Sequence, residues 1–343
     1  MKRKVLVVAT SNLSRGGIAT VVSAISKQDV WTKYHCYWIK SHIDKSFVEK
    51  LLRLFCSLLK FCVLLPFYDI VHIHVSTTVS ANRKYIFFKL AKLLRKKTII
   101  HLHCGSQLSE IWNKKYADML TNSDKCITLS KNIKNYIITK IGNCTNIEVL
   151  YNPCPDVSLK DEKNMDNCTI LFAATLYKTK GYLDLIEAFG QIAAKYPNWK
   201  LLLAGNGDQQ DGLELVKKYN IENQVEFLGW IKDDRKDLIF RTSTIFCLPS
   251  YAEGFPMAIL DAWAYRLPII TTPVGGIPDI VVDGKNGLLV NPGDIINLAN
   301  KLELLIKDQK LRKQIADEAY KLSTTTFSLE TMSKKLSLIY DSI

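Results

Sequence analysis

The sequence has no CxxC pair, no Asp-x-Asp, no GxGxxG and no repeat or low-complexity tract. It also lacks an apolar run of the roughly 20 residues a spanning helix needs. Each absence removes a class of protein. Without CxxC spacing, zinc-ribbon and dithiol redox sites are excluded, and the nine scattered cysteines read as reduced packing residues. Without Asp-x-Asp, a carboxylate-held metal on a diphosphate is not expected, and the strand histidines His72, His74 and His101 read as hydrogen-bonded core residues, so no metal is predicted. Without GxGxxG, a dinucleotide fingerprint is ruled out. Arginines do not interleave with stacking aromatics, and no helix-turn-helix or zinc-finger spacing occurs, so nucleic acid is not an expected partner. Met1-Lys2-Arg3-Lys4 runs directly into Val5-Leu6-Val7-Val8-Ala9, unlike a secretory leader, and a cytoplasmic setting is expected.

What is present is an ordinary folding composition on 343 residues, 48% hydrophobic, with a formal charge of +13. That length suits two domains. The positive surplus points to an anionic membrane surface or to phosphate-bearing substrates. Apolar strand-like runs alternate with amphipathic helical runs throughout. In the first half strands are expected over 5–10, 35–39, 70–74, 98–103, 125–129 and 147–150, with helices over 18–26, 47–65, 81–94 and 131–141. Strands apolar on both sides, alternating with helices, predict a parallel doubly wound sheet. The pattern pauses at Asn152-Pro153-Cys154-Pro155-Asp156 and resumes at Thr169. The expected organisation is a first domain over 1–155, a linker over 156–167 and a second domain over 168–325. A terminal helix within 326–343 is expected to pack back on the first domain.

Residues 51–66, LLRLFCSLLKFCVLLP, are apolar but short for a span. Lys50, Arg53, Ser57 and Lys60 recur at helical steps as one polar stripe. Such a helix is expected in a membrane interface, with Lys50, Arg53 and Lys60 among anionic lipid phosphates. The other reading packs it against a sheet with the stripe in water.

Chemistry concentrates at Ser250-Tyr251-Ala252-Glu253-Gly254-Phe255-Pro256-Met257, continuing to Asp261. A strand delivers a loop acid, Glu253. Glycine allows a close approach, and Pro256 suits the first turn of a helix expected over 255–265. The free amides at that helix start form a site for phosphate. Asp261 lies eight residues after Glu253, about 12 Å along a helix, so the two acids could hold a sugar and a ribose at opposite ends of a diphosphate. In the stretch that follows from Leu267, a buried strand ends in Gly275-Gly276-Ile277-Pro278-Asp279.

These stretches resemble the signature of retaining glycosyltransferase family 4, of GT-B fold, in which two acids eight positions apart precede a Gly-Gly-x-Pro-Glu turn. Here Asp261 and Asp279 stand where Glu is usual. Residues 173–181, Ala-Ala-Thr-Leu-Tyr-Lys-Thr-Lys-Gly, resemble the family's diphosphate clamp, with Lys180 matching its Lys and Thr175 replacing its Arg. Lys178 or helix amides are the expected stand-ins for the missing cation. By the same resemblance Gly205 and Gly207 border the donor, and Gly229 and Trp230 border the nucleotide base. Ser14-Arg15-Gly16-Gly17 matches a loop whose backbone approaches the phosphate, and His103 matches a strand-terminal histidine near the transferred sugar.

The resemblance implies two Rossmann-like domains facing a crevice and a metal-independent, cofactor-free, retaining transfer. A hexose or N-acetylhexosamine would pass from a nucleotide-diphosphate sugar, a UDP-sugar before a GDP-sugar, to an acceptor hydroxyl. The expected acceptor is a lipid-linked saccharide of O-antigen, capsule or exopolysaccharide synthesis, at the cytoplasmic face of the inner membrane. Glu253, Lys180 and His103 are the implied catalytic residues. Two other readings stand beside it: a sugar-nucleotide epimerase, which shares the two-domain architecture, and a non-catalytic protein that binds phospholipid or glycolipid, to which the charge and the 51–66 helix point.

Overall fold

The computed structural model describes residues 3–14, 16–103, 112–142, 146–157, 159 and 167–343. Arg15, Cys104, Cys144 and most of the expected linker lie outside them. The chain divides into one unit formed by Met1–Pro153 with Leu329–Ile343 and another formed by Cys154–Ser328.

The first unit is built on six parallel strands: β1 Val5–Ala9, β2 Tyr37–Lys40, β3 Ile70–Val75, β4 Lys97–Leu102, β5 Lys125–Thr128 and β6 Ile147–Val149. Their order is β2-β1-β3-β4-β5-β6. β1 and β3 are buried along their whole length, which is why they read as unbroken apolar runs rather than as alternation. The connecting helices are α1 Gly17–Ile25, α2 Asp29–Lys33, α3 Phe47–Leu64, α4 Thr78–Leu93, α5 Lys114–Asn122 and α6 Lys131–Ile141. Short polar residues start four of them: Ser46, Thr77, Asn113 and Ser130 each accept an amide three residues on. Glu49 reaches back to Ser46 and completes a capping box on α3. β2 begins two residues later than the pattern suggests, because His35 turns the backbone at a φ of 43°.

The terminal helix Leu329–Asp341 belongs to this unit and buries Met332, Leu336, Ile339 and Tyr340. The Tyr340 hydroxyl lies 2.8 Å from His72 Nδ1 in the middle of β3. Around it, Tyr34 Oη donates to Asp341 Oδ1 at 2.7 Å and Arg3 Nη1 donates to the Tyr340 carbonyl at 2.8 Å.

The second unit is a separate six-stranded parallel sheet: β7 Thr169–Ala173, β8 Lys200–Ala204, β9 Val225–Gly229, β10 Ile245–Leu248, β11 Ile269–Thr271 and β12 Leu288–Leu289. Its order is β12-β11-β10-β7-β8-β9, so the sheet grows outward from β7 in one direction and from β10 in the other. Its helices are α7 Tyr182–Ile192, α8 Gln210–Lys218, α9 Asp233–Thr242, α10 Met257–Ala264, α11 Ile295–Lys307 and α12 Gln309–Thr324. α10 starts two residues later than expected. Pro256 is its N-cap, with φ −72° and ψ 110°, rather than a residue of its first turn.

Tyr340→Phe tests the closure of the first unit. It strands His72 Nδ1 in a fully buried setting and should cost about 1–3 kcal/mol. Urea denaturation followed by circular dichroism checks this; an unchanged midpoint would mean the helix docks through its apolar side chains alone.

Candidate active site

The point where a doubly wound sheet reverses direction leaves a crevice at the carboxyl ends of its two central strands, and ligands of such folds bind there. In the second unit those strands are β7 and β10. The loops that leave them carry Thr175, Lys180 and Glu253, so topology alone brings together residues over seventy positions apart in sequence.

Lys180 ends a short 3-10 turn, Lys178–Lys180, ahead of α7. Its Nζ donates to Glu253 Oε1 at 2.7 Å, and Ser250 Oγ donates to the same oxygen at 2.7 Å. Among the described residues Glu253 Oε2 has no partner. The Glu253 side chain is 8% exposed and that of Lys180 24%. Backbone contacts fix both loops: the Tyr251 amide donates to the Thr179 carbonyl at 2.9 Å, and Tyr251 Oη donates to Asp184 Oδ2 at 2.7 Å. Below them the Gly-Gly turn is packed against the acid's own backbone. A Cβ on Gly275, which has a φ of +59°, would overlap the Glu253 carbonyl oxygen, and the Gly276 amide donates to the Gly254 carbonyl at 2.8 Å.

Beyond Glu253 the chain runs through buried Phe255 and Pro256 into α10, whose start has no side-chain cap; Met257 is its first residue. The eight-residue spacing of the two acids is thus half loop and half helix, not the continuous helix expected. Asp261, midway along α10, is held by Lys236 Nζ at 2.7 Å. Burial pushes its carboxyl above the usual carboxylate range, and Lys236 opposes that shift. Lys236 was not anticipated from the sequence. Neither was Ser250, although a Ser three residues before an acid is a spacing that can bond it locally.

Thr175 is half-buried just beyond β7. Gly205 follows β8 and lies against the Ala174 carbonyl, and Gly207 bridges in parallel to Leu176. Gly229 ends β9, and Trp230 beside it is 43% exposed. Lys178 is committed elsewhere, paired with Asp211 at 2.7 Å on the surface.

Gly16, Gly17 and His103 belong to the first unit. Gly16 caps α1 with a φ of +127°. His103 follows β4, its amide donating to the Val75 carbonyl at 2.7 Å and its Nε2 lying 2.8 Å from His74 Nδ1. His72, His74, His101 and His103 form one layer across β3 and β4. Nitrogens of the first three approach within 4.8 Å of one another. The rings stack, however, His72 on His101 at 8° and on His74 at 24°. Stacked rings direct their in-plane lone pairs side by side rather than at one point, so this arrangement does not suit an ion. Lys84, fully buried beneath them, donates to the His74 carbonyl and to Ser80 Oγ, and burial lowers its amine to about 7.

Residues 157–322 match the family described as glycosyl transferases group 1. The chain is similar to that family over this stretch, which takes in the second unit's sheet and the site. It is 31% identical over 206 residues to an uncharacterized glycosyltransferase of Haemophilus influenzae, covering 60% of this chain and 58% of that one. It is 32% identical over 177 residues to the capsular polysaccharide biosynthesis glycosyltransferase CapM of Staphylococcus aureus, covering 51% of this chain and 46% of that one. The chain thus spans about half the length of these curated relatives. Among solved structures it is similar to Anabaena HepE in complex with UDP, at 20% identity and a TM-score of 0.78, covering 99% of this chain and 100% of that one. The fold is therefore of the GT-B class, with two Rossmann-like units.

The histidine layer makes the first unit acid-sensitive. Burial lowers His72 and His103 from 6.5 to about 3 and takes His74 and His101 well below 6.5. Because the folded form favours neutral rings, their contribution is complete above pH 6.5 and is lost as pH falls from there toward 3. Between about pH 7 and 5, His72 and His103 should each cost about 2 kcal/mol. Denaturant titrations at the two pH values check it; equal midpoints would contradict neutral, buried rings.

Proposed function

We propose that the protein is a retaining glycosyltransferase that uses a nucleotide-diphosphate sugar, and that the observation carrying this reading is the Lys180–Glu253 pair at the reversal point of the second sheet. A lysine just ahead of a helix start opposes the helix dipole unless an anion joins it. Lys180, together with the uncapped start of α10, suits the donor diphosphate. Glu253 Oε2 is the free acceptor for a sugar hydroxyl, and Asp261, braced by Lys236, is assigned to the ribose. His103 and the Gly16–Gly17 backbone are assigned to the sugar and the phosphate on the family pattern. UDP-sugars are the favoured donors, and a lipid-linked saccharide of surface polysaccharide synthesis is the favoured acceptor, in line with the names of CapM and of the UDP-bound HepE.

In the proposed front-face route the bond from the anomeric carbon to the β-phosphate oxygen breaks while the acceptor oxygen bonds to the same face. The acceptor proton passes to the departing phosphate, and nucleoside diphosphate and glycoside are the products. The work of the protein is electrostatic: Lys180 and the backbone amides meet charge growing on the leaving group.

Two variants divide the roles. Glu253→Gln removes an anionic contact to the reacting sugar and should lower kcat at least about tenfold, or about 1.4 kcal/mol of barrier. Asp261→Ala should chiefly raise donor KM and leave kcat within a few-fold, since a ribose contact is similar in ground and transition states. Nucleoside diphosphate release at saturating acceptor reads both. Near-native turnover in Glu253→Gln, or a collapse of kcat alone in Asp261→Ala, would reverse the assignment.

A further inference from the structure

Helix α3 is apolar on both sides: Leu54, Leu58 and Leu64 pack half-buried against the core of the first unit. Ser57 and Phe61 point inward, with Phe61 edge-on to Phe87 of α4 at 5.0 Å, and Arg53 is half-buried. The polar stripe expected to meet solvent or lipid is therefore split: Ser57 and Arg53 lie toward the packed side, and Lys50 and Lys60 are exposed. A second apolar side is outside: Phe47, Leu51, Leu52, Phe55, Leu59 and Val63 are 51–74% exposed. At about 180 Å² for a large side chain, these six present on the order of 600 Å², at or above the largest apolar patch of a typical soluble monomer. The patch continues past the helix. Phe67 is 69% exposed, and Lys96 Nζ donates to the Pro66 carbonyl at 3.0 Å, which ties the end of α3 to Leu93 and Leu94 at the end of α4.

The charge around the patch has one sign. Residues 47–97 contain ten Lys or Arg and two acids. Both acids are occupied: Glu49 closes the capping box and pairs with Lys45 at 2.9 Å, and Asp69 Oδ2 accepts the Lys4 amide at 2.8 Å. Lys50, Lys60, Lys89 and Arg95 stand exposed around it. Among the described residues no helix is long and apolar enough to cross a membrane.

We infer that the outward face of α3, with Phe67, Leu93 and Leu94, is a docking surface for an anionic phospholipid bilayer. The helix lies in the plane of the interface, its apolar arc at the acyl boundary and its flanking lysines and arginines among the headgroup phosphates. The inference does not depend on sugar transfer, and its failure would leave the proposed chemistry standing.

The test is co-sedimentation of the full chain with phosphatidylcholine vesicles with and without phosphatidylglycerol. The wild type should bind the anionic vesicles, more weakly as salt rises. Leu52→Ser/Phe55→Ser/Leu59→Ser should lose at least about tenfold in vesicle affinity, since the side chains that enter the acyl boundary are gone. UDP binding of this variant, read by calorimetry, should stay at the wild-type level because the altered side chains face outward. Lys50→Gln/Lys60→Gln should lose a few-fold and show a shallower salt dependence. Absence of wild-type binding, or undiminished binding by the apolar variant, would overturn the inference. So would a wild-type dimer, seen by sedimentation equilibrium and abolished in the apolar variant, that ignores vesicles; the face would then belong to a second copy of the chain.

Discussion

One ion pair joins the two loops of the candidate site in the second unit. Lys180 and Glu253 come from loops after different strands, and their 2.7 Å contact lies where sheet topology puts a ligand. Holding a cation and an acid together at low exposure costs desolvation of both, which only good geometry offsets. That geometry is supplied locally: Ser250 shares the acid's oxygen, Tyr251 stitches the two loops, and Gly275 lets the backbone of the next turn pass against Glu253. Thr175 stands where the family has a second cation, and Lys178 is tied to Asp211, so positive charge from these loops falls on Lys180.

The first unit solves the opposite problem. Among the described residues its three buried histidines, the half-buried His103 and Lys84 carry no partnering acid, and desolvation drives all five toward their neutral forms. The layer is closed by Tyr340, a residue from the far end of the chain. The second unit sets a lysine against an acid at low exposure, whereas the first holds imidazole rings that desolvation keeps neutral.

Much of this was legible in the sequence. Strands buried on both faces leave unmistakable apolar runs, so β1, β3 and β4 lie within a residue or two of their expected bounds. Glu253 and the Gly-Gly turn stand out by their spacing and Lys180 by the family resemblance, and the structure brings Lys180 and Glu253 together. Three things were not. Helix α9 has its apolar Leu238, Ile239 and Phe240 in a row, without helical spacing, so neither the helix nor Lys236 upon it could be tied to Asp261. The short α2 and the two-residue β12 offer too few residues for any period to emerge. For α3 the helix was clear but its facing was not: amphipathicity marks two sides of a helix without saying which one the fold covers, and here Ser57 is inside and Phe55 outside.

The central claim is that Lys180 meets the phosphates of a nucleotide. Calorimetric titration of Lys180→Ala with UDP and with uridine tests it most directly. The account predicts at least about tenfold weaker UDP binding, about 1.4 kcal/mol, with uridine binding unchanged. UDP binding that survives intact, or uridine binding that falls in step with it, would contradict the assignment of Lys180 to the diphosphate.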